Sequence, residues 1–144
     1  MFLTLADFQG RWRLSREIFD DAHRAHRAHR APGQFAGEAV FQPEAGGLRY
    51  VETGTLMLAG QPPMTATQRY LWQPGADAID VFFPDGRAFH RIDLTLTQPE
   101  AHHHCAPDDY RVRYDFSQWP NWFSHWHVTG PRKAYELRNS FVHL

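Results

Sequence analysis

Five positions put a polar or charged side chain in step with an apolar face, and they define where chemistry could occur. Side chains of a strand alternate between two faces, so a polar residue in register with apolar ones is carried inward. Arg16 keeps step with Trp12, Leu14 and Ile18, and Glu52 with Tyr50, Leu56 and Leu58. His90 shares a face with Ile92 and Leu94, Ser124 with Trp122 and Trp126, and Asn139 with Leu137 and Phe141. A solid core tolerates few such atoms, because each needs a partner. The pattern therefore predicts a small wet cavity. The face of Arg69 stays open: Arg69 goes with Thr67 and Leu71, whereas Tyr70 goes with Trp72. If Arg69 points inward, its charge and desolvation together disfavour protonated His90.

Tyr110 and Trp126 fall on inward faces and would add flat contact surface. Gly130-Pro131 forces a turn, which places Arg132 and Lys133 at a rim where cations can hold a carboxylate or phosphate. The ligand-binding set expected from sequence is thus Arg16, Glu52, Arg69, His90, Tyr110, Trp126, Arg132 and Lys133. Apolar walls with a few polar anchors suit a small, partly aromatic or apolar anion. The alternative is an enzyme using the same lumen, with His90 as acid–base and Arg69 or Tyr110 stabilising developing charge. A third reading is an interaction module with a filled interior. Binding is preferred because no catalytic spacing stands out.

His102-His103-His104-Cys105 is the densest run of potential ligands, with imidazole and thiolate suited to Zn, Cu or Fe. On a strand only His102 with His104, or His103 with Cys105, can converge. No Cys-x-x-Cys or His-x-x-x-His spacing completes a site. No metal and no cofactor is expected; His102 and His104 come nearest, and metal or haem through His90, or through His125 and His127, is the remaining alternative. Cys105 beside His104 and Asp108 has the composition of an activated thiol but not its arrangement. Nothing resembles a phosphate-binding loop, a dinucleotide fingerprint or a zinc-protease helix.

Elements that could position these residues emerge from the turn signals. Pro and Gly clusters recur at short intervals and leave strands at about 10–19, 34–42, 47–58, 64–73, 77–83, 88–97, 109–116, 122–129 and 134–143. Pro84-Asp85-Gly86-Arg87 is the clearest tight hairpin. The expected fold is all-β: one antiparallel meander barrel of about nine strands, in a single domain spanning residues 1–144. Residues 22–30 are three copies of Ala-His-Arg, read as part of a solvated low-complexity loop at about 20–33 rather than as a metal or phosphate clamp.

Composition limits the partners. Lys plus Arg total 15 against 16 Asp plus Glu, which argues against a nucleic-acid or membrane-surface binder. One cysteine excludes an internal disulfide framework and fits a reducing compartment. No basic leader or membrane-length apolar run is seen. The expectation is a soluble cytoplasmic protein, monomer or homodimer, whose partner is a small molecule.

Gly10-Arg11-Trp12 resembles the Gly-x-Trp start of calycin barrels, which include lipocalins and fatty-acid-binding proteins. That resemblance implies Trp12 at the closed end beneath an Arg from a late strand, with Arg138 as the counterpart. Four further motifs are Arg69-Tyr70-x-Trp72, Phe83-x-Asp85-Gly86-Arg87-x-Phe89-His90, His103-x-Cys105-x-x-Asp108 with Tyr110, and Trp126-x-Val128-x-Gly130-Pro131-Arg132-Lys133-x-Tyr135. Together they resemble the bacterial family called domain of unknown function 6314, from Phe8 to Phe141. The resemblance implies a calycin-like barrel and supplies no activity. Ala134 stands where the family pattern implies an acid, so no acidic partner of Lys133 is expected there.

Overall fold

The computed structural model describes residues 2–20 and 32–144; the Ala-His-Arg repeats lie outside them. Ten strands come after a one-turn 3₁₀ helix, Leu5–Phe8: β1 Gly10–Asp20, β2 Gly33–Glu44, β3 Gly47–Met57, β4 Met64–Gly75, β5 Ala78–Phe82, β6 Ala88–Asp93, β7 Glu100–Cys105, β8 Asp108–Asp115, β9 Trp122–Thr129 and β10 Ala134–His143. They form one antiparallel sheet ordered β6-β5-β4-β3-β2-β1-β10-β9-β8-β7. The first and last strands pair along nearly their whole length, Trp12 opposite His143 through Asp20 opposite Tyr135. The edges of the sheet are therefore two mid-chain strands, β6 and β7, which lie against each other and nearly close the barrel.

One strand more is present than the turn signals predict. The segment expected at 88–97 stops at Asp93, whose carboxylate accepts from the Thr95 N–H at 2.9 Å and from its hydroxyl at 2.6 Å. This local turn competes with the ladder. Residues 100–105 then form β7, where the turn signals place no strand. Pairing with β8, from Glu100 opposite Arg113 to Cys105 opposite Asp108, makes them a strand.

Aromatic side chains close one end. Phe8 is fully buried, with the rings of Trp72, Phe116, Trp119 and Trp122 at centroid distances of 4.9–5.6 Å. Trp12 is also fully buried, and its indole N–H donates to the Phe8 carbonyl at 2.8 Å. Arg138 does not sit beneath it. Arg138 pairs in register with Glu17, is exposed, and reaches Glu136 at 2.9 Å and the ring of Phe19. The edge-on neighbours of Trp12 are instead His143, 4.8 Å away, and Trp122, 5.9 Å away.

Two glycines shape the lumen above this plug. Gly37 and Gly54 face each other across β2 and β3. A Cβ on Gly54 would meet the Ala36 carbonyl and come within 2.8 Å of the Phe35 ring. The bare backbone leaves room for Phe35, which carries the Arg16 guanidinium 5.0 Å above its centre.

Candidate functional site

Above the closed end lies a cavity of about 370 Å³, within the usual range of small-molecule sites. Its wall is largely aromatic, and its only charged side chains among the described residues are Arg16 and Glu52. These form a two-pronged ion pair, Nη1 to Oε2 at 2.7 Å and Nη2 to Oε1 at 3.0 Å. Arg16 Nε donates to Asn139 Oδ1 at 2.6 Å, and the Asn139 amide donates to Ser124 Oγ at 2.9 Å. The Tyr50 hydroxyl donates to Glu52 Oε1 at 2.8 Å. Four strands supply this network, because β1, β3, β9 and β10 each turn an in-register polar residue inward. Burial works against the Arg16 charge, but Glu52 outweighs it and holds the guanidinium protonated beyond its ordinary range. Burial and the adjacent carboxylate push the Tyr50 hydroxyl well up, so it remains a donor. The lumen is polar at this belt and carries no net charge.

His90 lies on the opposite wall. Val81 pairs with His90 and Phe82 with Ala88, so Phe89 is the extra residue of a bulge. Phe89 and His90 consequently both line the cavity, which strict alternation forbids. His90 Nε2 is 2.8 Å from the Tyr114 hydroxyl, across the seam between the sheet edges. Phe89 stacks on Trp126 at 5.3 Å and stands edge-on to His103 of β7 at 5.3 Å. Burial, helped by His103, lowers the His90 pKa to about 3 and leaves the ring neutral. Burial likewise raises the Tyr114 hydroxyl. Two buried nitrogens in the cavity wall find no protein partner among the described residues: His90 Nδ1 and Trp122 Nε1. Buried polar atoms are nearly always paired, so these two are exceptions within the wall.

The expected residues divide accordingly. Arg16, Glu52, His90, Tyr110 and Trp126 line the cavity. Arg69 does not: it is exposed, because Tyr70 and Trp72 turn inward to join Tyr50, with Tyr50 stacked on Trp72 at 5.9 Å. The charge acting on His90 is therefore that of His103, not Arg69. Arg132 and Lys133 lie at the end opposite Phe8, where both are exposed. Lys133 has an acidic partner after all, Asp108 of β8 at 3.0 Å, and its ammonium sits 6.0 Å from the centre of the Tyr110 ring. Tyr50, Tyr114, Phe89 and Trp122 join the site without being singled out for it by the sequence. Alternation marks three of them as inward, while Phe89 carries no local signal.

Outside the barrel, His102 and His104 do share a face, but both bond to Asp109 Oδ1, at 3.0 and 2.7 Å, and hold that carboxyl below its ordinary range. His125, His127 and Glu136 bring three ligand atoms within 4.8 Å on the outer face. Glu136 there already bonds His125 at 2.6 Å and Arg138 at 2.9 Å, and Arg111 and Arg113 are the cross-strand neighbours of the two histidines. This cationic setting does not favour a metal ion.

An all-β meander barrel with an aromatic, charge-balanced lumen is a calycin-like barrel. The family model described as "Family of unknown function (DUF6314)" matches residues 8–143, and the chain belongs to that family. Among solved structures, the S-type phycobiliprotein lyase from Guillardia theta superposes with a TM-score of 0.68 at 8% identity, over 97% of this chain and 90% of that one. A protein of unknown function from the DUF3598 family of Nostoc punctiforme superposes with a TM-score of 0.61 at 11% identity. There this chain is covered to 99% and spans 50% of the other. Comparison with curated proteins returns no match.

Proposed function

We propose that this protein binds a small, flat, largely apolar molecule inside the barrel. The observation that carries this is the cavity of about 370 Å³, walled mainly by aromatic rings and holding one charge-balanced pair, Arg16 with Glu52. Aromatic walls supply contact area, and the few polar groups among them supply orientation. The likeness to the lyase is one of fold, so the ligand class rests on the lumen alone.

Binding is favoured over acid–base catalysis for a physical reason. An imidazole whose pKa is lowered to about 3 is a feeble proton acceptor at neutral pH and cannot serve as a protonated acid there. Balanced charge supports a small-molecule partner rather than nucleic acid, and the single cysteine supports a reducing cytoplasmic setting; the proposed assembly is a monomer or homodimer. Among the described residues, no helix is long and apolar enough to cross a membrane.

Native mass spectrometry of protein purified without denaturation tests the proposal. A retained mass that disappears on denaturation is expected, with retention reduced in His90→Gln. A chain mass alone, together with no melting shift across a panel of aromatic compounds, would remove it.

A further inference from the structure

Glu52 governs which ligands the lumen can accept, given that the lumen is the binding site proposed above. We infer that Glu52 makes the cavity selective for uncharged ligands: it cancels Arg16 and occupies the face of the guanidinium that a ligand carboxylate would need. From sequence, Arg16 reads as an anchor for an anion. The geometry removes that role. Both carboxylate oxygens of Glu52 bond to Arg16 Nη1 and Nη2, and Asn139 takes Nε. Tyr50 and Ser124 satisfy the outer members of the network, so it is complete without a ligand.

An arriving anion has two courses inside the barrel. It can displace Glu52, leaving a buried carboxylate without a partner, or it can remain unpaired itself. Both leave one uncompensated negative charge in an aromatic cavity. His90 offers no relief, because the ring is neutral. Lys133, beside the Tyr110 ring, is exposed, does not line the cavity and is held by Asp108 at 3.0 Å. An uncharged ligand meets none of these costs. An amide, a ketone or a phenol on a flat ring system has the required character.

Two near-isosteric probes isolate charge from shape: 2-naphthamide, which is neutral, and 2-naphthoate, which is ionised at neutral pH. Their affinities are measured by quenching of protein fluorescence, with thermal melting alongside. Wild type should bind the amide at least about tenfold more tightly than the carboxylate. Glu52→Gln leaves Arg16 charged and unpaired, so the preference should invert and naphthoate should raise the melting temperature more than naphthamide. If that variant does not fold, the Arg16→Gln/Glu52→Gln double variant decides. With both charges gone it should keep the amide preference, whereas an anion site built on Arg16 would lose naphthoate binding. Equal or tighter naphthoate binding to wild type, or an unchanged ratio in Glu52→Gln, overturns the inference while leaving the lumen site standing. Failure of both probes to bind wild type, with no melting shift from either, overturns the lumen site and the inference with it.

Discussion

His90 sits in the cavity wall with Nε2 on the Tyr114 hydroxyl and Nδ1 buried without a partner among the described residues. Its pKa falls from an ordinary 6.5 to about 3, chiefly through burial. The unfolded chain therefore binds one more proton than the folded one between those values. The stability associated with neutral His90 is complete above pH 6.5 and is lost as pH falls toward 3. The expected slope from this residue is about 1.4 kcal/mol per pH unit. His90→Gln keeps a hydrogen-bonding side chain and removes the titration. Urea denaturation from pH 7 to 4 should show a flatter loss of stability in this variant than in wild type. Parallel curves would mean that His90 is hydrated or already charged in the folded protein.

The glycine pair across β2 and β3 acts through the strands that carry it. Gly37 and Gly54 let the two backbones and the Phe35 ring approach closely, and Phe35 supports the Arg16 guanidinium. Gly54→Ala should cost about 1–3 kcal/mol by overpacking, measured by chemical denaturation. It should also weaken ligand binding, because the displaced ring moves into the lumen. A variant as stable as wild type would show that the strands separate without strain. The bulge in β6 works in the opposite sense, adding a residue rather than removing bulk. It turns Phe89 inward beside His90 and gives the seam its aromatic contacts with β7 and β8.

The barrel closes through its terminal strands, while its edges are two mid-chain strands joined by side chains. The 3₁₀ turn plugs the base and is tied to β1 by the Trp12 indole. Trp12→Ala should remove both the ring and that bond, at a cost of about 3–5 kcal/mol. Because β1 joins β2 to β10, the loss should appear as one cooperative transition at lower urea, not as local fraying. Unchanged denaturation would count against Trp12 as the anchor of the closed end.

Strand faces are legible in the sequence wherever apolar residues alternate without interruption. Arg16, Glu52, Ser124 and Asn139 point inward as their neighbours require, and Trp12 lies at the closed end. Period-two alternation is a local property, and burying one oily face leaves a strand little choice of register. The Asp85-Gly86 hairpin is equally local: the Gly86 N–H bonds to the Phe83 carbonyl at 2.9 Å, with Gly86 at φ 91°. Non-local matters required the fold. Strand β7 exists because β8 pairs with it, and its own residues carry no apolar stripe. Arg69 faces outward because Tyr70 and Trp72 find Tyr50 on the neighbouring strand. Phe89 turns inward because β5 skips a residue in β6. The charge of the site is the least legible feature. Arg16 and Glu52 are 36 residues apart in the chain, and only their meeting across the barrel converts a cation that could draw in an anion into a neutral pair.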